Sequence, residues 1–195
     1  MSNYNHPHFI CTINDRSELL DARTYLLNKQ RTIVLNNAID EETAFYTASA
    51  IVFLSKKSND DIVLHINCPG GAVSDGMAIL DAMQATDCDI ATQGTGTAAS
   101  MGAFLLAGGT KGKRYCTPNT QVLLHQPLGG AQGQVSDIML AARNMQKTKT
   151  QLVNHFAQFT GQTPKKIDAD LDRDLWLSAH EALEYGIIDH VGDYK

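Results

Sequence analysis

The chain has 195 residues, which is long enough for one domain with a substantial hydrophobic core. Hydrophobic residues make up 43% and charged residues 19% of the chain, proportions that are ordinary for a globular protein and argue against a disordered one. The formal net charge of −5 argues against binding to nucleic acid or to an anionic membrane, because both surfaces require clustered lysines and arginines. We therefore expect a soluble protein of a single domain, residues 1–195, with neither of these partners.

Cysteine usage and the N-terminus indicate where the protein works. The four cysteines show no Cys-x-x-Cys spacing and no nearby histidine, so they predict neither a zinc site nor a disulfide framework; they are Cys11, Cys68, Cys88 and Cys116. Residues 1–15 lack the basic start and apolar core of a signal peptide, and no apolar run is long enough to span a bilayer. We expect a cytoplasmic location and no bound metal or cofactor.

The first half of the chain predicts three units, each a strand followed by a helix, after an irregular start. The predicted strands are 32–35, 62–66 and 89–92, and the predicted helices are about 41–54, 74–85 and 100–107. Turns rich in glycine and other small residues precede the last two helices. Such alternation predicts an α/β fold with mostly parallel strands and with its functional residues at their carboxyl ends.

The second half predicts two more strands, 113–117 and 120–125, and then a glycine-rich stretch, 129–134, that cannot be helical. A long helix over 135–160 follows, with an apolar stripe formed by Ile138, Ala142, Met145, Leu152, Phe156 and Phe159. This stripe requires a partner, either within the domain or on a neighbouring subunit. Two short helices are predicted after it, one beginning at Thr163–Pro164 and one at the capping box of Ser178 and Glu181.

Ser100 is the candidate nucleophile. It lies in a run of small residues that ends a β-rich stretch and opens an apolar helix, where backbone N–H groups stabilise negative charge. His125 ends an apolar strand and is the candidate base, and Asp174 is the best of several candidate acids. Taken singly, each residue also fits a structural role: a helix cap, a hydrogen-bonded core histidine and a turn acceptor.

Backbone groups near these residues complete the candidate site. An oxyanion needs fixed N–H donors, and we expect these donors to be the amides of Gly71 and Met101. Gly70, Leu128 and Gly129 belong to two segments that can hold an extended peptide through main-chain hydrogen bonds. Because such binding uses the backbone, it gives little sequence specificity.

Four segments resemble the proteolytic subunit of the Clp protease family, which consists of serine peptidases with a crotonase-like α/β fold. They are residues 66–71 (INCPGG), 98–106 (AASMGAFLL), 125–134 (HQPLGGAQGQ) and 184–189 (EYGIID). The resemblance runs in order from about residue 39 to 191. It implies that Ser100 is the nucleophile, His125 the general base and Asp174 the third member of a triad, with Gly71 and Met101 forming the oxyanion hole.

The resemblance also implies an assembly. Two stacked heptamers enclose a chamber, residues 135–160 form the handle helix between the rings, and residues 1–30 form the axial gating segment. Gln134, Asp172 and Arg173 match positions at the ring–ring interface. An AAA+ unfoldase of the Clp type uses ATP, which this chain does not, and feeds unfolded polypeptide into the barrel.

One departure from the family pattern concerns unfoldase docking. The matching positions carry Val63, His65 and Ala85 in place of the usual aromatic residues, and only Tyr115 is retained. We therefore expect weaker unfoldase binding than for a typical member of the family. The barrel is expected to be a homo-oligomer of this chain; the alternative is that the chain is a divergent, second-copy type that works beside a more typical subunit in a mixed barrel.

Two rival functions remain open at this point. One is an acyl-CoA enzyme of the crotonase type, which shares the fold and a two-amide oxyanion hole. The other is a catalytically quiet ring subunit. The complete set of Ser100, His125 and Asp174 counts against both.

Overall fold

A computed structural model describes residues 8–13 and 16–194. Its strands are β1 (His8–Ile13), β2 (Arg16–Asp21), β3 (Thr32–Leu35), β4 (Ile62–Cys68), β5 (Ile90–Ala99), β6 (Arg114–Cys116), β7 (Gln121–Leu124), β8 (Leu175–Ser178) and β9 (His190–Val191). Its helices are α1 (Ala22–Gln30), α2 (Glu41–Ser55), α3 (Val73–Gln84), α4 (Met101–Ala107), α5 (Val135–Thr160), α6 (Pro164–Asp170) and α7 (Ala179–Tyr185).

A seven-stranded sheet organises the molecule. Five strands lie side by side in the order β3-β4-β5-β6-β9, and all their pairings are parallel. β7 pairs in parallel with the end of β5, and β8 pairs with β7 in the antiparallel direction. The predicted α/β fold with mostly parallel strands is confirmed, so the ends of β5 and β7 bring their following residues to one edge.

β5 is longer than the sequence predicted. The strand predicted over 89–92 continues to Ala99, because the run of small residues stays extended instead of turning. Its pairing with β4 shifts register between Ile66 and Cys68, and Asn67 accepts the Thr97 N–H through Oδ1 at 3.1 Å. The first part of β5 pairs with β6 and the last part with β7, so the sheet divides into two branches just before Ser100.

The helices start and stop close to where capping residues predict. Asp40 accepts the Thr43 N–H at 2.8 Å and begins α2, and the capping box of Ser178 and Glu181 begins α7. The helix predicted from Ser100 begins instead at Met101, since Ser100 has a left-handed φ of 55°.

The prediction of an irregular start is wrong for the part of it that the structure describes. β1 and β2 form an antiparallel hairpin, and Asp21 begins α1 by accepting the Arg23 and Thr24 amides. The strand β8, which the sequence did not predict, starts at Leu175, directly after Asp174. Residues 1–7 and 14–15 of the predicted gating segment lie outside the described residues, as does the Cys11 side chain. The prediction of a single domain stays a prediction.

The long helix α5 is buried over only half its length. Leu152, Val153 and Phe156 in its C-terminal half belong to the core, where Phe156 packs edge-on against Phe104. The N-terminal half exposes large apolar side chains; they are Val135, Ile138, Met139 and Leu140. Of the two partners that the sequence left open, the domain itself therefore covers the C-terminal half, and the N-terminal half remains an exposed apolar patch.

Candidate active site

Ser100 is held in a strained backbone conformation between β5 and α4. Its φ of 55° and ψ of −122° cost on the order of 1–3 kcal/mol for a residue other than glycine. Its N–H donates to the Leu123 carbonyl at 2.8 Å, which fixes the turn to β7. The hydroxyl makes no capping hydrogen bond, so the structural role of a helix cap is wrong for this serine.

His125 follows β7 as Ser100 follows β5, and these two strands are neighbours. Both residues line one small pocket, whose other walls are mostly apolar and include Val73, Met101, Phe104, Leu124, Pro127, Leu152 and Phe156. The imidazole is 17% exposed. Among the described residues, no hydrogen bond joins the Ser100 hydroxyl to the imidazole. The pocket brings nucleophile and base candidates together without linking them.

The pairing of β7 with β8 places Asp174 beside His125. Leu124 lies opposite Leu175 in this antiparallel pair, so the residue after Leu124 and the residue before Leu175 face each other. The His125 Nδ1 is 3.9 Å from the Asp174 Oδ1, which is beyond hydrogen-bond distance. The Asp174 carboxylate is 66% exposed. The third predicted residue is therefore placed beside the base but is not yet bonded to it.

The Gly70–Gly71 turn packs directly on the serine. A Cβ added to Gly70 would lie 2.6 Å from the Ser100 Cβ and 3.0 Å from the Met101 N, so only glycine fits there. The turn is pinned on its other side, because the Gly70 carbonyl accepts the Ile39 N–H at 2.8 Å and the Ala72 N–H donates to the Ile39 carbonyl at 2.9 Å.

These bonds leave both candidate oxyanion donors available. The C=O of Gly70 and the N–H of Gly71 belong to one planar peptide and point in opposite directions. The Gly71 N–H therefore points away from Ile39. Met101 is the first residue of α4, so its N–H has no partner within the helix. Sequence reasoning missed Ile39, because nothing in the local sequence connects it to a turn 31 residues later.

The remaining predicted site residues lie at the surface. Leu128 is 81% exposed in the irregular segment after His125, and an added Cβ on Gly129 would meet the Met145 side chain of α5. Gln134 is the exposed N-cap of α5. Asp172 and Arg173 are exposed in the turn before β8, and their side chains approach each other only to 3.9 Å. All three predicted ring-interface residues are therefore accessible to a second chain.

The predicted docking positions adjoin a groove that the C-terminal residues help to form. Val63, His65 and Tyr194 line it, and the Tyr194 ring lies 5.5 Å from that of Tyr115. Burial lowers the pKa of His65, which favours its neutral form, while nearby Asp193 opposes the shift. Ala85 is exposed at the end of α3. No local sequence pattern predicts that residues 193–194 fold back onto this surface.

Residues 8–13 and 16–194 contain neither a metal-ligand cluster nor a membrane-spanning helix. In these ranges no three histidine, cysteine or acidic residues are grouped as metal ligands. No helix there is long and apolar enough to cross a membrane. The cysteines Cys68, Cys88 and Cys116 are buried and free.

Comparison with known proteins assigns the family. The family model described as Clp protease matches residues 15–195. A protein of Rhodococcus jostii named ATP-dependent Clp protease proteolytic subunit 2 is 48% identical over 166 residues, which cover 85% of each chain. Proteolytic subunit 2 of Mycolicibacterium paratuberculosis is 46% identical and proteolytic subunit 1 of Mycobacterium tuberculosis 47% identical, each over 89% of this chain and 87% of the relative.

These matches confirm the family and fold class predicted from the sequence, and with them the enzyme class, a serine peptidase. They favour neither the acyl-CoA enzyme nor the quiet subunit. The geometry around Ser100 agrees with this assignment. The chain belongs to the Clp protease family.

Proposed function

We propose that this chain hydrolyses peptide bonds of unfolded proteins with Ser100 as nucleophile, His125 as general base and Asp174 as the acid that orients the base. The observation that carries the proposal is the shared pocket of Ser100 and His125, with the serine held at a φ of 55° and its hydroxyl free of any capping bond. A strained serine at a strand-to-helix turn is exposed to substrate, which suits a nucleophile.

Proton transfer follows from the orientation of the imidazole. Because Nδ1 of His125 lies on the Asp174 side, Nε2 is the nitrogen that takes the Ser100 proton as Oγ attacks the carbonyl carbon. The imidazolium then returns this proton to the leaving amine when the C–N bond breaks. Water attacks the resulting acyl-enzyme by the same route and releases the acid product.

The amides of Gly71 and Met101 stabilise the tetrahedral oxyanion. Both belong to fixed elements, since Ile39 holds the Gly70–Gly71 peptide and α4 holds Met101. Donors that are already oriented need no reorganisation as charge develops, which makes this one of the largest contributions to rate.

The backbones around Gly70, Leu128 and Gly129 hold the substrate peptide in an extended conformation through main-chain hydrogen bonds. Leu128 is exposed and Gly129 lies against α5, so this segment is accessible to an incoming chain. The small apolar pocket lined by Phe104, Leu152 and Phe156 lies beside Ser100 and His125.

Assembly closes the triad in this proposal. Asp174 is exposed and 3.9 Å from His125, and its neighbours Asp172 and Arg173 are exposed as well. In the proposed assembly of two stacked heptamers, these residues lie near the contact between the rings. Gln134 and the apolar N-terminal half of α5 form part of this contact. A neighbouring ring that packs on this turn brings the carboxylate to within hydrogen-bond distance of the imidazole.

An AAA+ unfoldase of the Clp type delivers substrate and uses ATP, which agrees with the word ATP-dependent in the relatives' names. The few aromatic residues among Val63, His65, Ala85 and Tyr115 support weak docking by this chain alone and a mixed barrel with a second subunit type. The relatives are named as subunits 1 and 2, which supports two types of subunit. Tight capture of an unfoldase by the purified chain would contradict this. The three buried free thiols fit a reducing cytoplasm.

The test of the proposed function is intact-mass analysis after treatment with a fluorophosphonate. We expect one adduct on the wild type and none on Ser100→Ala, while Ser178→Ala, which removes only a helix cap, keeps the adduct. A wild type without an adduct would contradict autonomous activity and favour the partner-dependent or quiet ring subunit.

A further inference from the structure

The thiol of Cys68 lies under the Gly70–Gly71 turn. Cys68 is the last residue of β4 and is fully buried. The Gly70 N–H donates to its Sγ at 3.3 Å, and the Sγ lies 3.0 Å from the carbonyl oxygen of Asn37. The thiol therefore accepts from the turn and donates to the segment that supplies Ile39.

The two hydrogen bonds of Cys68 restrain the Gly70–Gly71 turn and the 37–39 segment that packs on it. The Ile39 N–H holds the Gly70 carbonyl, and the direction of this carbonyl sets the direction of the Gly71 N–H. Cys68 fixes the preceding peptide through the Gly70 N–H, and it also fixes the 37–39 segment through Asn37. One side chain thus restrains both the turn and the segment that orients it.

Cys68 also contacts the helix that carries the second donor. A Cβ added to Gly102 would lie 2.8 Å from the Cys68 carbonyl oxygen and 3.2 Å from its Cβ. Gly102 follows Met101 directly, so the start of α4 rests on the Cys68 backbone. The same residue is therefore in contact with the supports of both candidate donors.

Burial raises the pKa of the Cys68 thiol, although the bond from Gly70 opposes the shift. At neutral pH the sulfur therefore keeps its proton and can donate it to Asn37. A protonated, fully buried thiol is not a nucleophile, so its contribution is to geometry.

We infer that Cys68 is a positioning residue for the oxyanion hole, acting through its hydrogen bonds to Gly70 and Asn37 on the orientation of the Gly71 N–H. The inference rests on the proposed function, in which Gly71 stabilises the oxyanion. The competing explanation is that Cys68 merely fills space in the core, as buried cysteines commonly do.

A pair of variants separates hydrogen bonding from space filling. Cys68→Ser and Cys68→Ala have similar volumes and leave a similar gap, but only serine can accept from Gly70 and donate to Asn37. Cys116→Ala is the matched control, because Cys116 is equally buried and lies on β6, away from the Ser100 turn.

The kinetic readout is the kcat of peptide hydrolysis. The enzyme concentration is the concentration of fluorophosphonate-labelled serine, which leaves unfolded protein out of the calculation. We expect Cys68→Ala to lower kcat about tenfold, less than the loss of a whole oxyanion donor, and to change KM less than about twofold. Cys68→Ser should retain at least about half of the wild-type kcat, since the bonds are restored. Cys116→Ala should match the wild type.

Amide hydrogen exchange in the peptide spanning residues 66–72 gives a readout that needs no activity. We expect faster exchange of the Gly70 amide in Cys68→Ala and wild-type protection in Cys68→Ser. Equal kinetics and exchange in the serine and alanine variants would overturn the inference. A wild type that the fluorophosphonate does not label would instead contradict the proposed function, and the exchange experiment would still decide whether Cys68 holds Gly70.

Discussion

His125 and Asp174 each lie one residue beyond a paired position, Leu124 opposite Leu175, in the antiparallel ladder of β7 and β8. The ladder brings the imidazole Nδ1 to 3.9 Å from the carboxylate, a gap that a small rotation of Asp174 can close. Gln126 holds the two chain segments together through two hydrogen bonds. Its backbone N–H donates to the Leu171 carbonyl at 2.8 Å, and its side-chain amide donates to the Asp172 backbone carbonyl at 3.2 Å. Backbone pairing therefore places Asp174 beside His125. A hydrogen bond between the two side chains requires a contact that orders the exposed carboxylate.

Asp174→Asn should lower kcat by about 10²–10⁴-fold with KM little changed, because an amide cannot stabilise the imidazolium or hold the required tautomer. Steady-state peptide hydrolysis by the assembled enzyme measures both constants. Asp168→Asn is the control, since Asp168 is 57% exposed and forms an ion pair with Lys149 of α5. A wild-type kcat in Asp174→Asn would assign the acid to another residue.

Gly70→Ala should abolish peptide hydrolysis, since the added Cβ would lie 2.6 Å from the Ser100 Cβ and 2.8 Å from the Ala99 carbonyl oxygen. Gly112→Ala is a matched control, because Gly112 has a similar positive φ, 85° against 92°, but no atom within 4 Å of an added Cβ. Both variants should lose about 1 kcal/mol of stability from backbone strain. Gly70→Ala should lose more because of its close contacts, and only this variant should lose activity. Urea unfolding and hydrolysis rates measure the two effects, and an active Gly70→Ala would contradict the close packing of the turn on Ser100.

Ile138→Asp should weaken the contact between rings, because it places a charge in the exposed apolar patch on α5, where Ile138 is 41% exposed. Sedimentation velocity should show a shift from the proposed double ring to smaller species. Asn144→Asp adds the same charge at an exposed polar position of this helix and should leave the assembly intact. Identical sedimentation of the two variants would remove this part of α5 from the interface.

The ion pair of Arg114 and Asp189 should make stability depend on pH in the acid range. The two side chains are 2% and 14% exposed and meet at 2.7 Å, while Arg114 also donates to the carbonyls of Ala107 and Phe159. Burial alone would raise the pKa of Asp189, but the hydrogen bonds and charge of Arg114 outweigh it and hold the pKa below its usual range. The stability from this pair is therefore present above the unfolded pKa, about 3.9, and is lost as pH falls through the lower folded value.

Urea unfolding of the wild type and Asp189→Asn tests this. The wild type should be more stable by about 3 kcal/mol at pH 7 and pH 5, and the difference should shrink toward pH 3, since only the wild type has this carboxylate to protonate. The surface variant Asp168→Asn should differ from the wild type by less than about 1 kcal/mol. A difference that stayed constant down to pH 3 would show that the carboxylate charge does not contribute.

Most helices and strands were predicted from the sequence because apolar runs and capping residues within each segment identify them. The buried strand at residues 32–35 is a run of β-branched and apolar residues, and α5 is bounded by a glycine with a left-handed φ of 76°. β5 was predicted too short, since glycine and alanine have a low intrinsic preference for strands. Pairing with β4 and β7 keeps residues 94–99 extended. β8 has four residues and depends on β7, so no local pattern identified it.

The sequence by itself determined the family, the fold class and the identity of Ser100 and His125 as candidates, because these rest on contiguous motifs and on periodicities that neighbouring residues carry. Only the tertiary structure decided which groups meet. Ile39 and Cys68 hold the Gly70–Gly71 turn, and Asp174 faces His125, through pairings between segments far apart in the chain. Such contacts depend on strand order and register, which follow from burying the whole set of apolar faces at once and leave no mark in any short stretch of sequence.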